Sequence, residues 1–197
     1  VFCDGYNGEF SLPPSVLKMK DMKDFYNVQT AYNAFVYFNY FVHGRGVTEI
    51  VDLLMKAAYA AINETIELLD NRFKAYSEVS GLSYQPIRYD TQVISFETLY
   101  HMAEKTYGAG LEKALDEKLE EIGLEVKDQR EIACRLVKWL TEAAEIHRPG
   151  IVLFFAPPYC PHNTLKNEKP QEKQLLDMLK DITAEYGKEI GETFKVS

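Results

Sequence analysis

A chain of 197 residues is long enough for one substantial core, or for a domain with a helical extension, and its 46% apolar and 26% charged composition is that of a globular protein. Its net charge of −8 argues against nucleic acid and anionic membrane as main partners, since both demand concentrated Lys and Arg. No apolar run reaches the roughly 18 residues of a membrane helix, and the widely spaced Cys3, Cys134 and Cys160 give neither a disulfide framework nor a paired zinc spacing, so a cytoplasmic setting is expected.

The start at Val1 has no signal-like character, and Thr193 to Val196 reads as the beginning of a strand, so both ends suggest a piece of something longer. Residues 1–23 hold Gly5, Gly8, Pro13 and Pro14 with no sustained period and predict an entry loop, with a turn of helix at 20–24. The densest aromatic stretch follows at 24–43, DFYNVQTAYNAFVYFNYFVH, and predicts one long strand. In its second half Ala34, Val36, Phe38, Tyr40 and Val42 alternate with Phe35, Tyr37, Asn39 and Phe41. The first set is expected to lie on the core. The second suits a half-covered face or a subunit contact.

After His43-Gly44-Arg45-Gly46, Thr48 is placed to cap a helix that carries Glu49 in its first turn. Val51, Leu54, Ala58, Ile62, Leu69, Phe73 and Tyr76 recur at three- and four-residue steps, extending that helix to about Val79, with Gly81 ending it. Each large side chain buried along the stripe contributes about 1.5–3 kcal/mol, so the helix needs a sheet face to lie on, that of 34–42 or an equivalent. A loop at 82–90 leads to a short strand near 91–94, and Ser95 caps a helix from Phe96 to Tyr107. Leu111, Leu115, Leu119 and Ile122 define the next helix, closed by Gly123, and Asp128 with Glu131 opens another through Trp139 and Leu140. Ile151 to Phe155 is an unbroken apolar run, the pattern of a strand covered on both faces, ended by Pro157-Pro158. Pro170 opens a last helix, which Gly187 ends.

The sum is an α+β domain that is mostly helix, with a small, mostly antiparallel sheet, spanning 1–197 as a single domain. Two strong strands do not make a stable sheet. They need a partner at 91–94, at 27–31, or in another chain.

No complete catalytic set is present in the sequence. His43, His101, His147 and His162 form no His-x-x-x-His or His-x-Asp pair. His101 and His147 are read as helical surface residues, while His43 and His162 follow the two best strands. Cys160 and His162 lie two residues apart, without a third group to orient them. Glu120 and Glu121 point about 100° apart on a helix and read as surface. The His43-Gly44-Arg45-Gly46 turn lacks the Lys and Ser/Thr of a phosphate loop.

Two longer stretches carry a family resemblance. PPSVLKMKDMKDFYNVQTAYNAFVYFNYF, followed by TEIVDLLMKAA, and the later PGIVLFFAPPYCPH together resemble the RocB (arginine-utilisation protein) branch of the di-zinc amidohydrolases, the superfamily of aminoacylase and succinyl-diaminopimelate desuccinylase. The resemblance covers nearly the whole chain. It implies the lid or dimerisation segment of such an enzyme, inactive alone, with a helical insertion around 73–149 and a helix at 170–187 returning to a catalytic domain outside the chain. That domain would hold two zinc ions and their ligands, so no catalytic or metal residue is expected here. Implied partners are the catalytic domain, a second copy meeting through the lid, and a small-molecule or peptide substrate, in amino-acid or arginine catabolism.

Asn27 matches the asparagine of the family's Asn-Val-Ile-Pro turn, which approaches substrate. The residue type alone equally fits an Asx-turn cap at a strand start. The chain departs from the pattern in Gln29-Thr30 for Ile-Pro, and in Phe41 where relatives often place an arginine. A different class of function also fits: a freestanding helical module binding a protein or apolar ligand through Phe35, Tyr37, Phe41 and the inserted helices.

Overall fold

The computed structural model describes every residue except 1, 7, 24, 87, 161–164, 166 and 192–197, so His162 and the strand expected at Thr193 to Val196 lie outside the described residues. The architecture is α+β, as expected, with five helices and three two-stranded sheets among the described residues. The chain divides into two compact units, one of Val1–Met19, Val36–Arg45 and Cys160–Ser197, the other of Lys20–Phe35 and Gly46–Tyr159.

The expected entry loop is instead strand. β1 (Gly5–Tyr6) and β2 (Glu9–Phe10) form an antiparallel hairpin, and β3 (Val16–Asp21) follows Pro13 and Pro14. The prolines only delay pairing, and the alternation Val16, Lys18, Lys20 against Leu17, Met19, Asp21 then supplies a two-residue period. The long strand expected at 24–43 reduces to β4 (Ala34–Phe38), paired with β3. Asn39 explains where it stops. Its N–H donates to the Ser15 carbonyl at 3.2 Å, and its Oδ1 accepts the Ser15 N–H at 2.7 Å, which closes the ladder.

The faces of β4 are also reversed from expectation. Val36 and Phe38 are exposed and Phe35 and Tyr37 half-buried. The last helix, α5 (Pro170–Ile190), begins at the expected proline but runs past Gly187, which is buried within it. Gly191, at φ +72°, makes the left-handed turn that ends it.

The second unit holds the main core. α1 (Val47–Ser80) begins one residue before Thr48, at an N-cap of Gly46 with no side-chain cap, and ends on left-handed Gly81 as expected. α1, with Ile50 and Leu54 buried, packs on β5 (Gln92–Ser95) and β6 (Gly150–Leu153), which supply an equivalent of the sheet face expected for it. β5 and β6 pair in parallel, Val93 opposite Ile151, which fulfils one of the pairings considered for the second strong strand. β6 is half-covered rather than buried on both faces. Gly150 permits the pairing, since a Cβ there would stand 2.6 Å from the Gln92 carbonyl oxygen.

Ser95 caps α2 (Phe96–Tyr107) by accepting the Thr98 N–H, as its sequence position predicts. α3 (Leu111–Glu125) passes through Gly123, which has no left-handed turn to make, and ends at extended Val126. α4 (Gln129–Ala143) starts on Asp128, whose side chain accepts the Arg130 N–H. Leu99, Ala103, Leu111, Val137, Leu140 and Ala144 form the core where α2, α3 and α4 meet, with Leu99 and Leu140 fully shielded. No helix among the described residues is long and apolar enough to cross a membrane.

Candidate functional site

Asn27 lies in the connection between β3 and β4, where Lys23, Asn27 and Gln29 bond to one another. Asn27 Oδ1 accepts the Gln29 N–H at 3.0 Å, the bond of an Asx turn. Lys23 closes the loop from the other side. Its Nζ donates to the carbonyls of Asn27 at 3.1 Å and Gln29 at 2.8 Å, while its N–H is held by Asp21 Oδ1. At the foot of the loop the Met22 N–H donates to the Asn33 carbonyl.

The geometry therefore contains the Asx turn. Because Oδ1 is the atom that turns inward, the amide NH2 of Asn27 keeps both of its donors without a partner among the described residues. Around it Phe25, Tyr26, Val28 and Tyr32 are exposed, Val28 to 93%. Such an amide NH2 can donate to the oxygen of a carbonyl compound. Sequence reasoning missed Lys23, since its function in the loop depends on carbonyls four and six residues away rather than on its charge.

Below the loop a cleft of about 400 Å³ opens between Lys20, Lys23 and Phe35 on one side and α3 and α4 on the other. Its charged walls are ion pairs: Lys118 with Glu121 at 2.8 Å, and Arg135 with Glu125 at 2.9 Å and with Glu131 at 3.3 Å. Largely solvated pairs of this kind contribute little.

The remaining candidates separate. His43 gives its backbone N–H to Asp4, and His101 lies 3.4 Å from Glu104 on the exposed side of α2. His147 is not on a helix, because α4 ends at Ala143. Cys160 is exposed and its expected neighbour His162 lies outside the described residues; Cys3, Cys134 and Cys160 form no disulfide with one another. Glu121 is taken by Lys118. Phe41, where relatives often place an arginine, is exposed, and the guanidinium of Arg45 donates to the Tyr40 hydroxyl at 3.2 Å. Among the described residues no group of three His, Cys, Asp or Glu side chains fits a metal ion.

One carboxylate stands out that the sequence did not single out. Asp4, 7% exposed, accepts the N–H groups of His43, Gly44 and Arg45 on a single oxygen, Oδ2, at 2.8, 2.8 and 3.0 Å. Burial raises its pKa, but these bonds and one from the Gly5 N–H outweigh it and hold the carboxyl at about 2. The signal in the sequence is the paired glycines of His43-Gly44-Arg45-Gly46, which match a phosphate loop only in part and so point to no anion by themselves.

No family model and no solved structure matches the chain. It is 31% identical to Protein RocB of Bacillus subtilis (strain 168) over 190 residues, taking in 95% of this chain and 32% of RocB. It is 30% identical to the uncharacterized protein YqjN of the same organism over 188 residues, 94% of this chain and 34% of YqjN. The chain thus spans about a third of the length of the curated relatives it matches. Over nearly its whole length, the chain is a RocB-like segment.

Proposed function

We propose that this segment is the lid and dimerisation portion of a RocB-like, zinc-dependent amidohydrolase acting on a peptide or N-acyl amino acid, in arginine or amino-acid catabolism. The metal ions and their ligands belong to the rest of that enzyme. This chain contributes the β3–β4 ribbon and its loop. The observation that carries the reading is Asn27, whose side-chain oxygen is spent on Gln29 while its NH2 is left to donate. Such a donor stabilises a carbonyl oxygen as it gains negative charge during attack on an amide. Similarity to about a third of RocB supports a contributing segment rather than a whole enzyme.

The exposed Val36 and Phe38 of β4 suit a second copy meeting the ribbon, and the helices within 73–149 are read as an insertion particular to this branch. Light scattering on the longer protein should return a dimer; a monomer at working concentration would remove the dimerisation part of the reading.

The test is Asn27→Ala in the longer RocB-like protein, assayed on a panel of N-acyl amino acids and dipeptides. Loss of one such donor lowers kcat by about 10²-fold or more, with metal content unchanged. Wild-type turnover in that variant would remove Asn27 from the site.

A second reading has its own observation. The later turns of α1 expose Leu68, Tyr76 and Val79, an apolar face suited to a protein partner in a freestanding interaction module. It would be favoured if the longer protein bound no zinc and hydrolysed nothing.

A further inference from the structure

Three successive backbone N–H groups that converge on one point form a nest, a concavity lined by the positive ends of peptide dipoles and suited to an anion. The turn at His43, Gly44 and Arg45 has this form, and all three donors reach the same oxygen of Asp4. The acceptor comes from 39 to 41 residues away in sequence, so neither turn nor carboxylate produces the other by local geometry. Asp4 is in turn fixed by its own hairpin. Its N–H donates to Ser11 Oγ at 2.8 Å, and its carbonyl accepts the Ser11 N–H at 2.7 Å.

We propose that the His43-Gly44-Arg45 turn is an anion-binding nest whose resident anion is the Asp4 carboxylate, and that emptying it creates a site for a small external carboxylate. Several features carry this. The site is built, with a shielded occupant and three charge-assisted bonds at or below 3.0 Å. The depressed pKa is the mark of an environment that selects the ionised form. The donors are backbone groups, so they remain in the chain when the side chain opposite is removed. Truncation of Asp to Ala deletes a carboxylate and leaves space of the size of formate. The nest also explains what the N-terminal hairpin does for the fold, since it brings a filled acceptor to a turn that would otherwise bury donors without partners. This inference is independent of the enzymatic reading and survives its failure.

The experiment uses the 197-residue chain with Asp4→Ala and Asp4→Asn. In chloride, Asp4→Ala should melt about 5 °C or more below wild type, and sodium formate at matched ionic strength should recover at least half of that loss while leaving wild type unchanged. Amide ¹H–¹⁵N signals of His43, Gly44 and Arg45 should move with formate in Asp4→Ala and stay still in wild type. Formate acting equally on both proteins, or failing to move those three signals, would overturn the nest. Should Asp4→Ala not fold, Asp4→Asn decides: it keeps the shape but not the charge, so the three amide protons should shift upfield from wild type, and unchanged shifts overturn the proposal.

Discussion

Asp4 and Asn27 use the same chemistry to different ends. Each presents a side-chain oxygen to backbone N–H groups, but Asp4 is shielded and charged whereas Asn27 is half-exposed and neutral. The charge makes Asp4 a pH-dependent contributor. Its folded pKa of about 2 lies below the ordinary 3.8, so its contribution is complete above that ordinary value and is lost as pH falls through about 2. The contribution is at most about 2.5 kcal/mol. Denaturant midpoints measured between pH 5 and about 2 should therefore fall more steeply for wild type than for Asp4→Asn, which has no carboxyl to titrate there. Parallel curves for the two proteins would mean that the carboxylate is not held as described. Neither role could be read locally. Asn27 carried its Asx turn in its residue type and neighbours, but Asp4 finds its donors only after the chain has returned some forty residues later.

At the scale of elements, the features legible in the sequence were those decided within a turn or two: the Ser95 and Asp128 caps, the left-handed end at Gly81, the proline that opens α5. The strand assignments needed partners and fared worse. Residues 24–43 keep aromatic alternation far beyond the ladder, because alternation costs nothing in a half-exposed loop while hydrogen bonding ends where Asn39 ties back to Ser15. β3 was hidden behind two prolines. The glycines at 123 and 187 read as stops, although both sit inside helices, where glycine is merely unfavourable by about 1 kcal/mol. Gly150 carries no signal of its own in the sequence, yet β5–β6 pairing depends on it. Gly150→Ala would press a Cβ against the backbone of Gln92 at 2.6 Å. It should cost about 1–3 kcal/mol, seen as a lower chemical-denaturation midpoint, with faster amide exchange concentrated in β5 and β6. An alanine variant as stable as wild type would show that the strands are free to separate at that end.

For the molecule as a whole, the fold class and the RocB likeness were both accessible from sequence, the first from period and capping, the second from two stretches that bracket the helices. The division into two compact units was not, since each is assembled from segments distant in the chain. The chemistry was not legible because the sequence holds no His-x-x-x-His or His-x-Asp pair from which to read it. What the fold offers instead is a loop clipped by Lys23 and carrying a donor at Asn27. Under the proposed function, this chain serves a catalytic centre outside it. The most direct measurement compares the longer RocB-like protein with this segment alone, both loaded with zinc, on one panel of N-acyl amino acids and dipeptides. Hydrolysis and retained zinc are expected of the longer protein, and neither of the segment. Turnover by the segment itself, or a longer protein that neither holds zinc nor cleaves any amide, would contradict the proposed function.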